Sequence, residues 1–421
     1  MELWTLLVML VVFAVACFAL RWPTGLGFLL SALAGAVFAG KGVPIRHLVE
    51  GTFAYLDAML IIATAMIFMN VLRTTGALAF LSRLIVLKLG GRPLLFVMVA
   101  MLFVMFPGLL TGLSSTCVLT TGALIAPTLA AVGMPPATVG AFIAMAGVFG
   151  MIGPPINLPV MIIGAGVDMP YVGFGLPLLI ATFPLALTTA VLMGYRYVRR
   201  GDLATLAESL PAAPASGRVR LLLPLLVVVV LLVATRVVPR VVPDLGLPLV
   251  FMLGSVVGLA CDRRVNLLRE ARQGVREAAE IMALLAGVGM FVQVMALTGA
   301  RGALAVETLR LPAVLLFVGL GLVMPAFGSA FASATILGVP VLLALLGYNE
   351  IIVAAALSLI GGVGDLMPPP MLLCAFAAPI VGERERLRIL QKALPYLFLT
   401  VLVGIGMLVG ANGLAALLHM R

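Results

Sequence analysis

Apolar runs close to twenty residues long recur along almost the whole chain, separated by short polar connections. A helix needs a run of about that length to cross the hydrocarbon core of a bilayer. The runs fall into two similar series. In the first, spans are predicted near 3–20, 25–42 and 55–72, followed by an amphipathic stretch at 77–91. Two shorter apolar limbs, 93–107 and 116–132, flank a Gly- and Ser-rich tip at 108–115; a broken helix covers 136–166 and a last span 174–195. The second series predicts spans near 221–236, 246–261 and 278–298, then an amphipathic stretch at 300–310. Its limbs fall at 311–324 and 330–346, its broken helix at 350–381 and its last span at 393–416. Residues 196–220, with Pro211, Pro214 and Gly217, are the polar connection between a first repeat, 1–195, and a second, 221–416.

Glycines and prolines keep register between the halves. A shift of 223 pairs Gly35 with Gly258, Gly51 with Gly274, Gly76 with Gly299 and Asn70 with Gln293. After a deletion of nine residues the shift becomes 214, pairing Gly147 with Gly361, Gly150 with Gly364, Pro154-Pro155 with Pro368-Pro369 and Ser115 with Ser329. The limbs, at about 15–17 residues, are short for a full crossing. Each pair, 93–132 and 311–346, therefore reads as a re-entrant hairpin. Each half then crosses five times, and an odd number inverts the second half relative to the first. With the 196–220 linker placed in the cytoplasm, 19 of the Lys and Arg residues fall inside and 7 outside. That is the bias the positive-inside rule expects, and counting the limbs as full spans loses it.

Gly153-Pro154-Pro155 and Met367-Pro368-Pro369-Pro370 interrupt apolar segments at matching places. Proline removes a backbone donor and glycine weakens a helix, so each site should unwind near mid-membrane. The freed backbone groups cannot face lipid and must line a protein cavity. Paired breaks of this kind point to a transporter binding site.

Composition agrees: 63% of residues are apolar, 10% are charged and mean hydropathy is +1.26, the profile of an all-α polytopic membrane protein. Residues 1–20 read as a retained first helix, since Glu2 stands where a signal peptide carries positive charge. The net charge of +10 reads as loop arginines that fix topology, with no nucleic-acid partner. Cys17, Cys117, Cys261 and Cys374 lie in apolar runs without metal-ligand spacing and read as core residues. His47 and His419 lie near membrane edges, and no nucleophile–base pair suggests an enzyme.

Sodium asks for several oxygen ligands, which unwound carbonyls and hydroxyls supply without a buried charge. One candidate cation site combines Ser114, Ser115 and Thr116 with carbonyls around Gly150 and the Asn157 amide. The other combines Ser329, Ser333 and Thr335 with carbonyls from Gly361 through Gly364 to Asp365. The plainer alternative is that such hydroxyls bond back to their own helices. A substrate carboxylate is expected at the limbs starting at Ser115 and Ser329, beside Pro154, Pro155, Pro368 and Pro369. Asp365, a charge near the bilayer centre, should bind a cation, carry a proton or cap the half-helix after the break. Its repeat counterpart is Met151. Asn70 and Gln293 read as interhelical hydrogen bonds that stiffen the fixed part. No cofactor is expected beyond coupling sodium ions.

The chain resembles the large membrane subunit of tripartite ATP-independent periplasmic (TRAP) transporters, within the wider ion-transporter superfamily, over nearly its whole length. The resemblance rests on Arg21-Trp22-Pro23, on the stretch from Met69 to Gly76 before an amphipathic arm, and on the hairpin tip. The Gly-Met-Pro entry at 133–135, the Gly150-to-Asn157 break and its partner from Gly364 to Pro370 complete it. The family's first tip usually reads Gly-Ser-Ala-x-Ala-Asp; here it is Gly112-Leu-Ser-Ser-Thr116, without the acid. The triplets 114–116 and 333–335 also resemble the hairpin tips of dicarboxylate/sodium symporters, so the constant shift favours Ser329 as the second-half counterpart while this likeness offers Ser333. The resemblance implies an elevator: a scaffold from 3–72 and 221–298 stays fixed while hairpins and broken helices carry substrate and sodium. It also implies a small four-helix membrane subunit, a periplasmic solute-binding protein, a bacterial inner-membrane location and an organic-anion cargo such as a C4-dicarboxylate or a sugar acid. The competing expectation is a stand-alone exchanger or symporter of the same superfamily, coupled to protons or sodium, that uses Asp365.

Overall fold

A computed structural model describes residues 1–89, 91–199, 220–237, 243, 245–262, 265–368 and 370–419. Most of the linker and Pro369 lie outside the described residues. Among the described residues there is helix and no strand, and seven helices are long and apolar enough to cross a membrane by length and composition. The chain is an all-α polytopic membrane protein.

The first series is α1 (Glu2–Ala14), α2 (Thr24–Phe38), α3 (Ile45–Phe53), α4 (Leu56–Thr74), α5 (Ala77–Leu89), α6 (Pro93–Thr111) and α7 (Ser114–Cys117). It continues with α8 (Ala123–Ala131), α9 (Pro136–Ile152), α10 (Leu158–Ala165) and α11 (Gly175–Val198). The second runs α12 (Leu223–Val237), α13 (Gly246–Cys261), α14 (Leu267–Leu297), α15 (Ala300–Arg310), α16 (Ala313–Ala326), α17 (Ala330–Ser333) and α18 (Val339–Ala344). It ends with α19 (Glu350–Gly362), α20 (Leu372–Val381), α21 (Arg386–Val409) and α22 (Ala411–Leu417).

Helices α1–α4 and α12–α14 pack together, with α14 lying across α2, α3 and α4. The crossing is close because it is made of glycine: a Cβ on Gly51 would stand 2.6 Å from the carbonyl of Gly289. Small residues let backbones approach where burying apolar surface gains nothing against lipid. Left-handed glycines end the matching helices α4 and α14, at Gly76 (φ 72°) and Gly299 (φ 77°). The arms α5 and α15 follow. The remaining helices form a second group around α9, which packs on α6, α11, α20 and α21.

Three expectations need correction. The third span of the second half begins at Leu267, not near 278, because α14 runs unbroken for 31 residues through a charged first third. In the first half the corresponding stretch is divided into α3 and α4. The first-hairpin limbs are 19 and 18 residues long, enough to cross by length, because helix continues to Thr111 and resumes at Ser114. Shortness therefore gives no argument for re-entry there. Within the hairpins the register is also not the one that pairs Ser115 with Ser329. Gly112 (φ 69°) and Gly328 (φ 64°) make the same left-handed turn, and wide turns of helix follow at Val118–Gly122 and Ala334–Gly338. Both pairs are 216 apart, which sets Leu113 opposite Ser329 and Ser114 opposite Ala330.

Candidate functional site

The broken helices keep the 214 shift: Pro136–Ile152 maps onto Glu350–Gly362 with its 3-10 continuation Val363–Leu366, and α10 and α20 start at Leu158 and Leu372. The same shift sets Asn157 opposite Met371, and the two breaks are repaired differently. Asn157, fully buried, heads α10; its Oδ1 accepts from Val160 N at 2.9 Å, and its Nδ2 donates to Ile152 O at 2.8 Å. Nδ2 also donates to Ser358 Oγ of α19 at 2.9 Å, so one amide caps a half-helix, closes the break and ties the two halves together. The Tyr171 hydroxyl, from the loop beyond α10, accepts from Asn157 N at 2.9 Å and donates to Pro155 O at 3.0 Å. In the second half Met371 is itself left-handed (φ 58°), and its N–H donates to Met367 O at 3.1 Å.

The hairpin tips meet these breaks. Ile156 N donates to Leu109 O at 3.3 Å, and a Cβ on Gly147 would stand 2.9 Å from Ser114 O. In the second half a Cβ on Gly364 would lie 3.3 Å from Ser329 N, and one on Gly361 2.5 Å from Ser333 Oγ. Asp365, on the turn after α19, is 3% exposed and reaches both tips. Its Oδ2 accepts from Ser114 Oγ at 2.6 Å and its Oδ1 from Ala330 N at 2.9 Å. One carboxylate thus joins the first tip, the second tip and the second break.

The other expected residues divide into distinct roles. Ser329 caps its limb, its Oγ accepting from Ala332 N at 3.4 Å. Ser333 Oγ donates to Ala330 O at 3.0 Å and Thr335 Oγ1 to Phe331 O at 2.7 Å, the local bonds that hydroxyls in apolar helices form. Among the described residues Ser115 is partly buried and Thr116 buried, and neither side chain touches Asp365 through a hydrogen bond. Gly150 packs against Met105 O and Cys117 Sγ. Pro154 and Pro155, joined by a cis peptide bond, are half-buried, and Pro368 is exposed. Asn70 does not bridge helices: its Oδ1 accepts from Arg73 of its own helix at 3.1 Å. The interhelical link is made by Arg73, 3.2 Å from Glu277.

Four residues escaped the sequence reading. Tyr171 and Ser358 complete the first break. Tyr55, buried between α3 and α4, donates to Ile162 O at 3.1 Å, and Arg301 of α15 donates to Gly166 O at 2.8 Å. The last two join scaffold and arm to α10. Ser358 carried a signal, a lone hydroxyl on the apolar stretch before a break.

No Lys, Arg or His occurs in residues 93–195 or 311–383. These segments therefore bring hydroxyl, carbonyl and carboxylate oxygens with backbone N–H groups to the meeting point, and no basic side chain of their own. Oxygen donors of this kind suit a hard cation. Among the described residues no cluster of three His, Cys, Asp or Glu could hold a metal.

A family model for the tripartite ATP-independent periplasmic transporter, DctM component, matches residues 11–411. Among solved structures the fold is similar to that of the Alcanivorax borkumensis YdaH transporter, whose crystal structure is described as revealing an unusual topology. The TM-score is 0.62 at 19% identity, covering 89% of this chain and 88% of that one. No curated protein sequence matches the chain.

Proposed function

We infer that this chain, which belongs to the DctM component family of tripartite ATP-independent periplasmic transporters, is the large membrane subunit that moves a small organic anion inward on a sodium gradient. The observation that carries this reading is the meeting of both hairpin tips and both breaks around Asp365 and Asn157. Sodium takes the oxygens at the tips: Ser114 and Asp365, the hydroxyls of Ser115, Thr116, Ser329, Ser333 and Thr335, and carbonyls near Gly150, Gly361 and Gly364. The anion sits where the limbs begin, beside Pro154, Pro155 and Pro368. The hairpins and broken helices move as one body against the α1–α4 and α12–α14 scaffold, in two inverted repeats. A small four-helix subunit and a periplasmic binding protein complete the system in a bacterial inner membrane.

The test is uptake of labelled sugar acids and C4-dicarboxylates into proteoliposomes holding the chain with its two partner proteins. Uptake should require an inward sodium gradient and fall with Ser114→Ala or Asp365→Asn. A second reading is a stand-alone exchanger, favoured by the buried carboxylate that both tips grip. It predicts cation-driven proton movement by the chain alone, read with a pH-sensitive dye and lost in Asp365→Asn. Sodium-independent uptake would sink the first reading, and an inert chain without partners would sink the second.

A further inference from the structure

We propose that the groove between the start of α6 and the end of α11 binds the headgroup of one anionic phospholipid, a lipid with a single phosphate and no amine, such as phosphatidylglycerol. The site stands apart from the tips and breaks and depends on neither the sodium nor the cargo reading above.

The groove holds about 280 Å³, with Arg92, Pro93, Leu94, Leu95 and Met98 on one wall and Tyr195 on the other. The two helices close on each other beneath it, where a Cβ on Gly194 would stand 2.8 Å from the Val97 side chain. Arg92 is exposed and makes no ion pair among the described residues. Arg196 is engaged elsewhere, its guanidinium 4.6 Å from the centre of the Tyr197 ring. The first turn of α6 has no side-chain cap, which leaves the N–H groups of Leu94 and Leu95 open beside Arg92. A free guanidinium, a phenol and open N–H groups are the donors a phosphate takes. Below this mouth the wall is apolar: Leu94 and Leu95 are exposed, and Met98 lies half-buried one turn further along a helix apolar enough to span a membrane. That sequence of surfaces fits a headgroup with its acyl chain. Charge then selects the headgroup. No acid lines the groove, and from Pro93 to Val198, which covers both walls, the single acid is Asp168. Asp168 precedes Gly175, the start of α11, whereas Tyr195 lies roughly 30 Å along that helix. An amine on the headgroup would find no partner here, while Lys88, Arg196 and Arg199 at the same end add to the attraction for an anionic lipid. One guanidinium at the mouth matches one phosphate.

Native mass spectrometry of the purified full chain tests this, with phosphatidylglycerol and phosphatidylethanolamine of identical acyl chains titrated in turn. One phosphatidylglycerol should bind with a dissociation constant at least about fivefold below that of the amine lipid. Arg92→Gln should weaken phosphatidylglycerol about fivefold and erase the preference. Arg199→Gln, outside the groove, should change the affinity by less than about twofold. Leu95→Trp, which fills the groove and leaves every charge in place, should also lower the affinity. Glycerol 3-phosphate at millimolar concentration should not displace the lipid, because it lacks the chain that the apolar wall receives. Equal binding of the two lipids by the wild type, or binding of neither, overturns the inference without recourse to a variant. Equal losses in Arg92→Gln and Arg199→Gln overturn the site in favour of a diffuse surface field. Undiminished binding in Leu95→Trp overturns the groove as its place, and displacement by glycerol 3-phosphate overturns a lipid in favour of a soluble phosphate.

Discussion

Asn157→Ala is the sharpest probe of how the first break is held. The side chain is fully buried and makes three hydrogen bonds: to Val160 N, to Ile152 O and to Ser358 Oγ. Alanine removes all three and leaves the Val160 N–H without its cap. Transmembrane hydrogen bonds average about 0.6 kcal/mol and reach about 1.7. Three of them give a loss of about 2 kcal/mol, rising to about 5 if each lies at the upper end. At about 2 °C per kcal/mol for a large domain, the melting temperature should fall by about 4–10 °C. Asn157→Asp should do no better. It keeps the capping oxygen but turns a donor into an acceptor facing Ile152 O, and it buries a charge. Ser358→Ala alone should cost about 0.6 kcal/mol. Because Asn157→Ala already breaks that bond, the double variant should be less destabilised than the two losses added. Differential scanning fluorimetry of the purified protein measures all four. Asn157→Ala melting within about 1 °C of wild type, or strict additivity with Ser358→Ala, would refute the staple.

Other positions make smaller or starker claims. Tyr171→Phe removes the hydroxyl that serves both Asn157 N and Pro155 O but keeps the ring stacked on Phe174, 5.3 Å between centroids. It should cost about 1–2 kcal/mol in the same melting assay. Tyr55→Phe should cost about 1 kcal/mol by freeing Ile162 O from its scaffold partner; an unchanged melting temperature would argue that this bond holds nothing. Gly51→Val should abolish the monodisperse folded peak in size-exclusion chromatography, because its Cβ would lie 2.6 Å from the facing Gly289 carbonyl. Arg73→Ala, in contrast, breaks a half-exposed pair with Glu277 and should shift stability by no more than about 1 kcal/mol.

The helical architecture could be read from the sequence because a bilayer enforces it: every crossing helix must be apolar, so spans announce themselves. Breaks and arms were legible for a related reason, since glycine and proline mark where backbone leaves the regular helix. Asp365 stood out as a charge in an apolar run. What stayed hidden depends on rotation and on distant partners. Ser114 and Ser115 are adjacent and chemically identical, yet successive helical residues point about 100° apart, and Ser114 is the one bonded to Asp365. The hairpin register was misread because the 214 shift set by the glycines and prolines of the broken helices was carried back through the hairpins, whereas the left-handed Gly112 and Gly328 lie 216 apart. Tyr171 and Tyr55 act through hydroxyls that meet backbone far away in sequence, which no local pattern encodes. The early start of α14 was missed because 267–277 is charged and amphipathic, a pattern that marks no span.

In the proposed function the tips and breaks work as one cation-binding unit joined through Asp365. The most direct measurement is the melting temperature of the purified protein in sodium against potassium at equal ionic strength. It is taken for wild type, Ser114→Ala, Asp365→Asn and the double variant. Sodium at 100 times its dissociation constant should stabilise wild type by roughly 2.7 kcal/mol. Either substitution should remove most of that gain, and the double variant should lose little more. Equal melting in the two salts, or a sodium gain that survives Asp365→Asn intact, would contradict the account.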